Sequence, residues 1–130
     1  MSGKTVVSSS KAPAAIGPYS QAIVANGMVF TAGVIPLDPE TKAIAGDDIR
    51  TQAERVLTSL RGLLEDAGSS IDRVVKTTCF LQDLSDFPTF NEVYASYFDG
   101  DAAPARSTVQ VAKLPMGVLV EVEAIALLAE

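Results

Sequence analysis

Histidine is absent from this chain, and cysteine occurs once, as Cys79. Without histidine there is no Ser-His-Asp or Cys-His machinery, no imidazole acid–base step and no histidine-containing metal site. With one cysteine there is no intrachain disulfide and no cysteine-rich zinc site. Cys79 lies in an apolar run and reads as a small buried hydrophobe. No run of about 18 apolar residues is present, so no membrane-spanning helix is expected. Residues 1–10 hold neither an apolar signal core nor an arginine, so neither a secretory signal nor a transit peptide is evident. These features are compatible with a cytoplasmic protein, or a mitochondrial one if a transit peptide has been removed. The ten basic residues are scattered and the net charge is −6. A nucleic-acid groove normally carries a basic stripe, so nucleic acid is not expected as the main partner.

What the chain does contain is an ordinary globular composition, with 48% hydrophobic and 20% charged residues, enough for a core. Its length, 130 residues without a linker or low-complexity tract, predicts one domain over 1–130. Thr5 to Ser8 reads as a short strand. Lys11 to Ser20, with two prolines and a glycine, reads as an ordered loop. Its Tyr19 offers a ring to pack and a hydroxyl to aim. Gln21–Ala25 and Met28–Ala32 flank Asn26-Gly27, a strong hairpin signal. Gly33, at the end of that hairpin, suits either close approach of a ligand to the backbone or a bulge.

Asp47 or Asp48 can cap a helix whose apolar stripe runs from Ile49 to Ala67, with Gly68 placed to end it. Arg50, Glu54, Arg61 and Glu65 fall outside the stripe and read as a solvated face. Ile71 to Gln82 reads as a long β-branched strand. Ser85 or Asp86 is the expected cap of a second helix with Pro88 in its first turn. Phe87, Phe90, Val93 or Tyr94, and Tyr97 or Phe98 form that helix's stripe, which reads as core.

Pro104 to Ala126 carries two strand-like runs around Leu114-Pro115-Met116-Gly117. Parity places Arg106, Thr108 and Gln110 on one face of the first run, and Glu121 and Glu123 on one face of the second. If the runs are neighbours, Arg106 and Glu121 meet on one face. They then form either a carboxylate-gripping site or a cross-strand ion pair. The whole order predicts an α+β domain with a single mixed sheet and two helices on one face. Several strands are apolar on both parities, so the uncovered sheet face calls for a partner copy.

Several stretches resemble one family in the same order. They are Ala-Pro-Ala-Ala-Ile-Gly-Pro-Tyr-Ser-Gln at 12–21, Thr-Ala-Gly-Val-Ile-Pro at 31–36 and Val-Val-Lys-Thr-Thr at 74–78. They continue with Asp-Leu-Ser-Asp-Phe at 83–87, Asn-Glu-Val-Tyr at 91–94, Pro-Ala-Arg-Ser at 104–107 and Val-Glu-Val-Glu-Ala-Ile-Ala at 120–126. The sequence resembles the Rid (YjgF) family of reactive intermediate deaminases from about Ala12 to Ala126. The resemblance implies a chorismate-mutase-like fold of the bacillus type and a homotrimer with ligand clefts at the subunit interfaces. It implies hydrolysis of 2-imino acids, formed from the enamines that PLP-dependent dehydratases release, to 2-oxo acids and ammonia, as a 2-iminobutanoate/2-iminopropanoate deaminase does. No cofactor and no metal are implied.

By the same resemblance Arg106 binds the substrate carboxylate and Glu121 handles water. Tyr19, Gly33, Thr108 and Asn91 line the substrate site. The chain departs from the archetypal deaminase at Thr108, where that protein has cysteine, and at Ala32, where it has serine. Alternatives are a non-enzymatic module binding small carboxylates through the same residues, an endoribonuclease acting on translation, and a chaperone-like holdase, for which no feature of the sequence speaks. The acidic balance and missing histidine disfavour the nuclease.

Overall fold

The six expected strands and two expected helices all form in the computed structural model, which describes residues 3–130. The strands are β1 (Lys4–Val7), β2 (Ala22–Ala25), β3 (Met28–Thr31), β4 (Val74–Leu81), β5 (Ala105–Gln110) and β6 (Val120–Leu127); the helices are α1 (Ile49–Asp66) and α2 (Phe87–Tyr97). Asn26 and Gly27 both take positive φ, 51° and 74°, as a type I′ hairpin turn requires. Asp48 is the cap of α1, its side chain accepting from the Thr51 amide at 2.9 Å. Gly68 follows the helix at φ 91°.

Three local expectations are corrected. Ile71–Arg73 is a 3-10 turn, so the long strand starts only at Val74. Neither Ser85 nor Asp86 caps α2 through its side chain. Asp83 instead accepts from the Ser85 amide and closes a 3-10 turn that feeds the helix. The polar face of α1 is also not merely solvated. Arg50 pairs with Glu92 of α2, Glu54 accepts from the Tyr97 hydroxyl, and the Arg61 guanidinium lies over the Tyr97 ring.

The strand order is β1-β2-β3-β6-β4-β5, with only β4 and β5 parallel, joined by α2. This makes one mixed sheet. Its helix-covered face carries Val29, Cys79, Leu81, Val120 and Val122, packed against the stripe of α1 and against Phe90 and Val93 of α2. Each large apolar side chain fully buried there stabilises the fold by about 1.5–3 kcal/mol. The opposite face bears Ile23, Phe30, Phe80 and Ile125, with Phe30 and Val109 exposed.

The topology overturns the expected meeting of Arg106 and Glu121. β4 lies between β5 and β6, and the registers are Thr77 opposite Arg106 and Phe80 opposite Glu121. Thr77 faces the helices and Phe80 faces away from them. Arg106 and Glu121 of one chain therefore stand on opposite sides of the sheet and form neither a common site nor an ion pair there. Among the described residues no helix is long and apolar enough to cross a membrane.

Candidate functional site

The six candidate residues fall into two groups. Arg106, Thr108 and Asn91 gather where the edge strand β5 meets α2. Phe87, Asn91 and Tyr94 recur at i, i+4 and i+7, so they share a stripe of α2. That stripe faces Arg106. The guanidinium carbon lies 4.5 Å from the Tyr94 ring centroid and 5.2 Å from that of Phe87. Arg106 Nη1 donates to Asn91 Oδ1 at 2.7 Å. The Tyr94 hydroxyl is anchored in turn by a buried 2.8 Å hydrogen bond with Thr77 Oγ1.

Arg106 is thus held by two rings and one amide, while most of its five N–H donors stay available. Among the described residues no carboxylate pairs with it. Thr108, two residues on and on the same face, buries Oγ1 without a hydrogen-bond partner. Beside it the Cys79 thiol is pushed up to about 11, chiefly by burial, which makes it a poor nucleophile.

Tyr19, Gly33 and Glu121 form the second group, lining a cavity of about 600 Å³ between the Ala12–Ser20 loop, residues 32–39 and Met116. Of the two expected roles of Gly33, the structure shows the bulge. Phe30 faces Ile125 while Val34 faces Val122, so four residues on one strand span three on the other, a bulge at Ala32-Gly33. A Cβ on Gly33 would collide with the Glu121 carboxylate, its Cδ only 2.7 Å away. The missing side chain therefore makes room for the acid itself. Burial, with the Glu123 charge as a smaller contribution, pushes the Glu121 carboxyl above the usual range. Among the described residues no cluster of three or more His, Cys, Asp or Glu could hold a metal ion.

Phe87, Tyr94 and Thr77, which hold the arginine, read from the sequence only as core or strand. The spacing of Phe87, Asn91 and Tyr94 is the signal that could have found them, but it becomes informative only once β5 is known to face it. Gln21, expected in a strand, is a bracket for the loop carrying Tyr19. Its Oε1 accepts from the Ser9 amide and its Nε2 donates to the carbonyls of Ser9, Ala12 and Pro13.

A family model described as Endoribonuclease L-PSP matches residues 9–128. Reactive Intermediate Deaminase A, chloroplastic, of Arabidopsis thaliana is 51% identical over 125 residues, covering 96% of this chain and 66% of the plant protein. The 2-iminobutanoate/2-iminopropanoate deaminase of Salmonella typhimurium is 46% identical over 122 residues, covering 92% of this chain and 94% of that one. The crystal structure of YyfA from Yersinia pestis, a protein of the conserved Rid family, superimposes with a TM-score of 0.93 at 45% identity, covering 96% of this chain and 99% of that one.

Proposed function

The chain belongs to the Endoribonuclease L-PSP (YjgF/Rid) family, and on that premise we propose that it hydrolyses 2-imino acids to 2-oxo acids and ammonia. The observation that carries this reading is a ring-mounted arginine with no carboxylate to hold among the described residues, in a chain whose second site residue is a carboxyl shifted upward from its usual range. The arginine and the carboxyl lie on opposite sheet faces, so one subunit cannot bring both to a small molecule. A homotrimer that sets the β5 edge of one copy against the bare sheet face of the next completes the site. Arg106, Asn91 and Thr108 of one copy then confront Tyr19, Gly33 and Glu121 of the next.

The chemistry follows from these groups. The Arg106 fork binds the substrate carboxylate through two parallel hydrogen bonds and so fixes the adjacent imine carbon. Water adds to that carbon as Glu121 takes its proton, and the Thr108 carbonyl helps to orient the water. The resulting carbinolamine receives the proton on nitrogen from Glu121. The C–N bond then breaks as the carbinol hydroxyl returns its proton to Glu121, releasing ammonia and leaving the 2-oxo acid. A carboxyl whose pKa is raised suits both halves of this exchange near neutral pH. No metal or cofactor has a step to perform in it.

The test is to add the protein to a threonine dehydratase reaction and follow 2-oxobutanoate while semicarbazide competes for the imine. Faster 2-oxobutanoate release and less semicarbazone are expected. No effect would show instead a binding module that holds a small carboxylate without turning it over.

Gly33→Ala probes the second group in the same assay. Its new methyl displaces the Glu121 carboxylate, the movable end of a side chain, rather than backbone. Turnover is expected to fall at least about tenfold with a melting midpoint within a few degrees of the parent. Unchanged turnover would show that Glu121 need not lie against Gly33.

A further inference from the structure

We propose that Thr77 and Tyr94 are positioning residues for substrate binding. Their hydrogen bond, itself buried, sets the platform on which Arg106 lies, and so sets the affinity for the substrate carboxylate. The inference rests on the deaminase reading above and concerns the arginine half of the same site. Thr77 is fully buried and Tyr94 is 5% exposed. Their hydroxyl oxygens lie 2.8 Å apart. Thr77 stands directly opposite Arg106 in the register of β4 and β5. The tyrosine is thus tied to β4 at its tip, while its face carries the guanidinium that comes from β5, 4.5 Å from the ring centroid.

A tyrosine hydroxyl lies on the axis about which its ring turns. The bond to Thr77 therefore fixes where that axis points. The remaining rotation is limited by Phe98 and Phe90, whose ring centroids lie 4.6 and 5.8 Å from that of Tyr94. Burial pushes the Tyr94 hydroxyl above its usual range, so it stays protonated at neutral pH and the bond persists. Arg106 needs such a platform because β5 is an edge strand. Its side chain is otherwise held by the Phe87 ring and, at one nitrogen, by Asn91. A fork that grips a carboxylate through two parallel hydrogen bonds tolerates little tilt of its plane. Stability alone is a weak reason for the pair. Both hydroxyls give up water to form the bond, so the net gain is small, and valine with phenylalanine would fill the same space. The other buried positions of β4 are Val74, Cys79 and Leu81, none of which places a hydroxyl in the core.

The experiment compares Thr77→Val, Tyr94→Phe, the double variant and Thr77→Ser in the imine assay. Melting midpoints are taken alongside, with calorimetric binding of 2-oxobutanoate, which presents a carboxylate without turnover. Thr77→Val and Tyr94→Phe each leave one buried hydroxyl without its partner, so a lowered midpoint is expected. KM and the Kd for 2-oxobutanoate should each rise at least about tenfold while kcat changes less than about threefold, because the arginine, still present, grips the carboxylate once it is bound. The double variant should regain the parent's midpoint within a few degrees and keep the raised KM. Thr77→Ser keeps the hydroxyl and loses a methyl group, so its midpoint should fall while KM stays within about threefold of the parent's. Affinity that follows the midpoint across these variants, returning in the double variant, would overturn this inference and leave the deaminase reading standing. A parent protein that binds 2-oxobutanoate with the expected pattern of Kd, yet hydrolyses no imino acid, would support the positioning role and overturn the deaminase reading alone. A parent that neither binds nor hydrolyses would overturn both.

Discussion

Replacing Arg106 with alanine is expected to lower kcat/KM by about 3 kcal/mol or more, on the order of a hundredfold, in a protein that still folds and assembles. Arg106 has no carboxylate partner among the described residues, so its removal leaves no buried charge behind. What the fold loses is the stacking on Tyr94 and Phe87 and one hydrogen bond to Asn91, about 1–2 kcal/mol together. Arg106→Lys keeps the charge but not the planar fork, and should also cost activity, though less than alanine. Thermal melting beside turnover separates the two roles. A melting midpoint close to the parent's with activity lost assigns Arg106 to substrate. A collapsed midpoint with normal turnover in the remaining folded fraction would make it scaffolding.

The same variant tests the proposed two-subunit site. Mixed and reassembled with inactive Glu121→Gln subunits, it should regain activity at about a quarter of the sites in an equal mixture, because some interfaces then receive both intact residues. No recovery after verified subunit exchange would count against a shared site.

Glu121→Gln is expected to lower kcat by about 10² to 10⁴ with little change in KM, since shape and most hydrogen bonding survive while the proton acceptor is lost. Its effect on stability should have the opposite sign. The folded-state carboxyl is raised by burial and by Glu123. Its favourable contribution is therefore complete below the unfolded pKa, near 4.5, and is lost as pH rises through the folded value. At pH 7 the glutamine variant should melt at or above the parent temperature. In the parent, the acid limb of kcat/KM should lie above the ordinary glutamate range, and in the variant it should vanish. Glu123→Gln removes only the like-charge contribution, so its activity should persist with the limb shifted to lower pH. If Glu123→Gln proves the damaging change instead, the proton-handling residue has been misassigned.

Much of the architecture was legible because it depends on local periodicity. Asn26-Gly27 specifies its turn through two residues that tolerate positive φ. The α1 stripe and Asp48 specify a helix and its start. The alternation in β6 specifies which side chains are buried, since Val120, Val122, Ala124 and Ala126 are all inside. Candidate residues could be named, but grouping them required knowing which strands touch. Adjacent position in the chain suggested that β5 and β6 pair. They do not, because β4 lies between them, burying Cys79 and Leu81 on the helix-covered side. The more polar β5, Ala-Arg-Ser-Thr-Val-Gln, is left at the edge.

By itself, then, the sequence determined element type, helix limits and the parity of each side chain within its strand, all set by interactions a few residues apart. Only the tertiary structure decided that Arg106 lies on the helix-covered face and Glu121 on the bare one, and that Tyr94 rather than a carboxylate holds the arginine. Those outcomes depend on strand order, and strand order follows from competition among long-range pairings for the burial of β4, which no local pattern records.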